Sequence, residues 1–142
     1  MKKAFLLGVL CFAATACDKR EDAAPQTRLE TTIVSSGEKS SLKLAAKNLK
    51  IQLLEVNDSR CPINADCVSA GAADLKFNVS DGASEADVAV LFSSADKSSG
   101  SKEFKLAGQN YLISVSEVLP YPEIQKPVKL EDFKIGVSIS EK

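Results

Sequence analysis

From Ala73 to Val79 every second residue is apolar: Ala73, Leu75, Phe77 and Val79 alternate with Asp74, Lys76 and Asn78. A period of two sends successive side chains to opposite faces of an extended chain, so this stretch has one face to bury and one to wet. The pattern recurs at Leu49-Ile51-Leu53, at Ala86-Val88-Val90-Phe92, and at Phe104-Leu106. It returns at Tyr111-Ile113-Val115 and at Phe133-Ile135-Val137-Ile139. Thr31–Val34 adds a short β-prone patch suited to pairing at an edge. Asp81-Gly82 and Gly108-Gln109-Asn110 mark turns, and Ser93–Ser101 is a polar loop. No stretch of the domain keeps an apolar helical face long enough for a sizeable helix. The chain therefore predicts an all-β domain with hairpin-length links, hence antiparallel pairing. We expect a single antiparallel β-sandwich of about seven strands, immunoglobulin-like in size, with a small barrel as the alternative.

Local breaks refine this expectation. The apolar phase slips at Leu53-Leu54, so Leu54 and Val56 continue on the other parity, and a bulge would absorb the extra residue. Ala89 and Leu91 make Val88–Phe92 apolar on both faces, which predicts a central strand, or else an interaction edge. Leu119-Pro120-Tyr121-Pro122 ends a strand, because two prolines cannot sit in a central ladder. Tyr121 is expected to cap the core beside that corner, with an exposed aromatic contact as the other reading.

The start of the chain reads as an address. Lys2 and Lys3 precede an apolar run, Ala4–Ala16, which is shorter than the roughly 20 residues a spanning helix needs. It ends Ala14-Thr15-Ala16-Cys17. Small residues before a cysteine resemble the bacterial lipoprotein box, although Ala14 stands where leucine is usual. The resemblance implies a signal peptide at residues 1–16 and a diacylglycerol anchor on Cys17. A plain secretory signal cleaved near Ala16 is the other reading. Residues 17–41 then form the lipidated N-terminus and a polar tether, and the β-sandwich domain runs over 42–142. The implied location is the bacterial cell envelope, on the outer membrane or cell surface rather than the inner membrane.

That processing changes the cysteine count. Of four cysteines, Cys11 leaves with the signal and Cys17 carries lipid, so Cys61 and Cys67 remain to form a disulfide in an oxidising compartment. The ring they close has seven residues, worth roughly 2.4 kcal/mol in loop entropy. Inside it Pro62 restricts the backbone and Asn64 tolerates turn geometry. One reading of the loop is a stapled strand connection, with Arg60 paired to Asp58 or Asp66. A second is a binding knuckle built from Asp58, Arg60, Pro62, Asn64 and Asp66. Asn57, Asp58, Asn64 and Asp66 would be the oxygen donors of a calcium site, but their spacing is not that of an EF-hand, and no metal or other cofactor is expected. A redox pair is least favoured, because the spacing is not Cys-x-x-Cys.

The run Asp58-Ser59-Arg60-Cys61-Pro62, then Cys67-Val68, then Ala70-Gly71, resembles a motif of small bacterial lipoproteins and secreted β-domains of uncharacterised function. In that group a Pro-Tyr-Pro element follows, and Pro120-Tyr121-Pro122 stands at the matching place. Ser69 occupies the position where the group usually carries tryptophan. The resemblance spans about Leu42 to Ile139 and brings no activity with it.

Catalytic signals are weak. The chain has no histidine, which removes the commonest general base and metal ligand. Ser-x-x-Lys occurs at Ser36–Lys39, Ser40–Lys43, Ser94–Lys97 and Ser99–Lys102, all in Ser/Lys-rich strands or loops rather than on a helix. Glu131-Asp132 reads as solvated charge. Without Lys2 and Lys3 the balance is 16 basic to 19 acidic residues, net −3, which disfavours nucleic acid as a partner. The expected function is that of a membrane-anchored, non-catalytic module meeting an unknown protein or small ligand. The alternative is an inhibitor presenting the Cys61–Cys67 loop to an envelope or secreted enzyme.

Overall fold

The computed structural model describes residues 30–44, 47–96 and 98–142. The signal segment, Cys17 and the first part of the tether lie outside the described residues. The remainder is a two-layer antiparallel β-sandwich. In chain order its strands are β1 (Glu30–Ser35), β2 (Ser40–Leu44), β3 (Lys47–Asp58), β4 (Ala73–Ser80) and β5 (Glu85–Phe92). They continue with β6 (Ser101–Leu106), β7 (Gln109–Leu119) and β8 (Lys134–Glu141). One sheet has the order β1-β8-β7-β6 and the other β2-β3-β4-β5.

The alternating residues supply the core. Leu49, Ile51, Leu53, Leu75, Phe77 and Val79 of one sheet face Tyr111, Ile113, Ile135, Val137 and Ile139 of the other, all buried. The bulge expected near Leu53 is present: the β3–β4 register shifts between Leu53 and Glu55, and Leu54 turns outward. A second bulge, in β7 between Val115 and Glu117, lets both Val115 and Val118 face inward. Opposite it, Gly136 leaves room for Ser116, whose Oγ would lie 2.6 Å from an added Cβ.

One boundary moves, one strand is added, and one open alternative is decided. The sandwich reaches back at least to Glu30, ahead of the expected start at Leu42, because β1 pairs with β8 along its whole length, from Glu30↔Ile139 to Ser35↔Lys134. The extra strand is β2, which hairpins onto β3 and buries Leu42 and Leu44. The strand through Val88–Phe92 is an edge, not central. Its far side meets the other sheet: Gly100 N–H donates to Leu91 O at 2.7 Å, and Val115 N–H to Gly100 O at 2.7 Å. Leu91 is accordingly half exposed.

The registers define two poles. Asp58↔Ala73, Ala73↔Phe92 and Leu119↔Lys134 lie at one. Glu30↔Ile139, Ser80↔Glu85, Leu106↔Gln109 and Tyr111↔Glu141 lie at the other. The cysteine loop and the Pro-Tyr-Pro corner share the first pole. The chain enters the sandwich at the second.

Candidate functional site

The first pole is built outward from the ends of β3 and β4. Beyond their last paired residues the ladder continues in the loop: Ser59 N–H donates to Ala72 O and Cys61 N–H to Ala70 O, both at 2.8 Å. Gly71, at φ +67°, allows this close return, since a Cβ there would sit 2.0 Å from Ser59 O. The Cys61–Cys67 disulfide closes the loop, with Cα atoms 5.9 Å apart.

Arg60 is the centre of the pole. Its side chain is only 2% exposed, a burial that is costly for a cation unless every donor is paired. Nε donates to Asp58 Oδ1 at 2.8 Å and Nη2 to Asp58 Oδ2 at 2.6 Å, a two-pronged carboxylate contact. Nη1 donates to Val118 O at 2.8 Å and Nη2 to Pro120 O at 3.0 Å. The guanidinium carbon lies 4.6 Å from the centre of the Tyr121 ring, in cation–π range. Arg60 thus ties the end of one sheet to the corner that leaves the other.

The tip of the loop docks on the same corner. Ile63 N–H donates to Pro122 O at 3.0 Å, and Ile124 N–H to Asn64 Oδ1 at 2.8 Å. Pro62 O caps the turn by accepting from Ala65 N–H at 3.1 Å.

The sequence-derived set therefore splits. Asp58, Arg60 and Asn64 are brought together with the Pro-Tyr-Pro corner, but their polar groups are engaged in holding it. Of the two carboxylates proposed for Arg60, Asp58 takes it and Asp66 stays exposed. Pro62 is half-buried beneath the tip. For calcium, both Asp58 oxygens face Arg60 and Asn64 Oδ1 faces a backbone N–H, so the four suggested donors do not converge. Tyr121 does not cap the core; it is half exposed, with its ring against Arg60. Outward at the tip, beside exposed Asn64, Asp66 and Ser69, stand three aliphatic side chains: Ile63 at 66%, the fully exposed Val68, and half-exposed Ile124. Val118 O and Pro120 O, which complete the arginine site, are backbone acceptors with no side-chain signature in the sequence.

Other candidates bring less together. A groove of about 400 Å³ runs beside Tyr121, between Phe92, Ser94, Glu117 and Val118. Its Asp96 and Ser99 are turned into their own loop: Asp96 Oδ1 accepts from Ser98 Oγ, and Ser99 Oγ donates to Ser93 O or Asp96 O. The Ser98 hydroxyl, then the Ser98 N–H, hold the Asp96 carboxyl below its ordinary pKa. In the β4–β5 hairpin the N–H groups of Ser84 and Ala83 do the same for Asp81. Ser40 and Ser99 of the Ser-x-x-Lys pairs donate their hydroxyls to backbone carbonyls, and Lys97 lies outside the described residues. Asp132 accepts the Lys129 N–H in a short 3-10 turn at Leu130–Asp132, and Glu131 faces Lys129 Nζ at 3.7 Å in solvent. Among the described residues no helix is long and apolar enough to cross a membrane.

Compared with known proteins, the chain matches no family model, no curated protein and no solved structure.

Proposed function

We propose that the protein is a lipid-anchored bacterial lipoprotein of the cell envelope whose β-sandwich acts as a binding module rather than a catalyst. Cys17 carries the lipid, and the domain stands on the outer membrane or cell surface. One observation carries the binding reading: the loop and the Pro-Tyr-Pro corner form one braced unit. Arg60 and Asn64 brace that unit with their hydrogen bonds, and Ile63, Val68 and Ile124 face out beside exposed Asp66, Ser69 and Lys126. Preorganised exposed apolar groups lose little entropy on contact, which is the physical advantage of a stapled loop. Intact mass measurement of protein extracted from membranes without reductant tests the reading. A chain beginning at Cys17, acylated and two hydrogens short, supports it; an unacylated chain with two free thiols sinks it.

A second reading, an inhibitor of an envelope or secreted enzyme, draws on the fully exposed Val68 immediately after Cys67. Residues at Val68 and Ser69 bend rather than run extended, so they would not enter a cleft as a β-strand. Inhibition that disappears when Cys61 and Cys67 are both replaced by serine would favour it.

A further inference from the structure

We propose that the Cys61–Cys67 disulfide is a reducible latch on the folded protein. A dithiol opens it by attack at Cys67 and frees the limb Asp66–Ser69, while the limb Cys61–Ala65 stays docked on the proline corner. The latch does not require the lipid anchor.

The two limbs of the loop are held differently. On the first, Cys61 N–H donates to Ala70 O, Ile63 N–H to Pro122 O and Ala65 N–H to Pro62 O. Asn64 Oδ1 accepts from Ile124 N–H, and the neighbouring Arg60 grips Asp58, Val118 O and Pro120 O. None of these contacts passes through the sulfurs. On the second limb Asp66, Cys67, Val68 and Ser69 are all exposed and make no hydrogen bond among the described residues. The ladder takes up the chain again only at Ala70 O and Ala72 O. Between Ala65 and Ala70 the backbone is therefore tied to the rest of the described residues by the disulfide alone.

Access makes a disulfide exchangeable, and the two cysteines differ in it: Cys67 is exposed and Cys61 is half-buried. The thiolate of a dithiol attacks Cys67 Sγ, the S–S bond breaks, and Cys61 Sγ leaves and takes a proton. The second thiol of the reductant then attacks the mixed disulfide and releases Cys67 as a thiol. Two electrons and two protons pass to the protein, and the reductant closes its own disulfide. The freed Cys61 thiol has acceptors in place, since its sulfur lies 3.5 Å from Ala65 O and 3.6 Å from Pro62 O. The freedom gained falls on Asp66–Ser69, because the other bonds of the loop survive. Val68 is thus held in place only in the oxidised protein, whereas Ile63 and Ile124 keep their places in both states.

The full-length protein, purified without reductant, tests this with dithiothreitol as the probe and no denaturant. Reduction should run to completion with far-UV circular dichroism unchanged. Elastase should then cut the Val68–Ser69 bond about tenfold faster than in the oxidised protein, while the Ile63–Asn64 bond keeps its rate. The Cys61→Ser, Cys67→Ser variant should show the fast rate with or without dithiothreitol. With glutathione and iodoacetamide together, peptide masses should place glutathione on Cys67 and the alkyl group on Cys61. A bridge that survives dithiothreitol until urea unfolds the chain overturns the latch. So does an unchanged rate at Val68–Ser69, equal acceleration at Ile63–Asn64, loss of β signal on reduction, or glutathione on Cys61.

Discussion

Arg60 and Val118 lie fifty-eight residues apart in the chain and 2.8 Å apart in space, joined by a guanidinium N–H and a backbone carbonyl. The same cation holds Pro120 O and both oxygens of Asp58. Arg60→Ala leaves a nearly buried carboxylate and two carbonyls without their donor. We expect a loss of about 3–5 kcal/mol in urea unfolding under non-reducing conditions. Arg60→Lys should recover only part of it, because an ammonium cannot bridge both carboxylate oxygens and both carbonyls in one plane. Unfolding of Arg60→Ala at the wild-type midpoint would show that the clamp contributes nothing.

Replacing Cys61 and Cys67 by serine should cost roughly 2.4 kcal/mol and leave far-UV circular dichroism unchanged. The strands do not depend on the bridge, and the tip retains its hydrogen bonds to Pro122 and Ile124. Loss of β signal in the double variant would mean that the disulfide organises the sandwich as well as the loop.

Two glycines in the left-handed region should separate backbone strain from steric overlap. Gly82, at φ +92°, has open space around it, so Gly82→Ala should cost only the conformational penalty of about 1–2 kcal/mol. Gly71→Ala adds a Cβ that meets Ser59 O and should cost about 3 kcal/mol in total, by opening the Ser59–Ala72 ladder. Equal thermal shifts for the two would refute the close approach at Gly71.

Asp81 and Asp96 give the pH dependence. Each carboxyl is held below its ordinary value of 3.8 by turn hydrogen bonds, from Ser84 and Ala83 for Asp81 and from Ser98 for Asp96. Each therefore binds its proton less readily when folded than when unfolded. The stabilisation is fully present above 3.8 and is lost as pH falls through the depressed folded value. In an Asp81→Asn, Asp96→Asn variant, the acid limb of the stability–pH curve should flatten below pH 3.8, while the neutral plateau keeps its shape. An unchanged acid limb would place the sensitivity elsewhere.

The sandwich was legible because apolar alternation states which face of each strand is buried, and the Leu53-Leu54 slip even located a bulge. Strand β2 was not, since Leu42 and Leu44 alone set its period and its stability comes from lying on β3. The β7 bulge was hidden because Tyr111, Ile113 and Val115 set one parity in sequence, and only the pairing with β8 shows the shift between Val115 and Glu117 that brings Val118 inward. Apolar residues on both faces of Val88–Phe92 left a central strand and an edge both open; the fold makes it an edge, and part of Leu91 meets solvent. At the candidate site the sequence named Arg60 and its carboxylate options. It did not reveal the partners across the sandwich, because main-chain carbonyls acquire their positions only from the fold.

The placement of β1 also decides how the molecule carries load. A force applied at Glu30 along the axis of β1, opposed by one at the stapled pole, runs parallel to the strands. The six register pairs between β1 and β8 are then sheared together instead of peeled apart one by one. Stretched between Glu30 and the stapled pole, the sandwich resists in its stiffest direction.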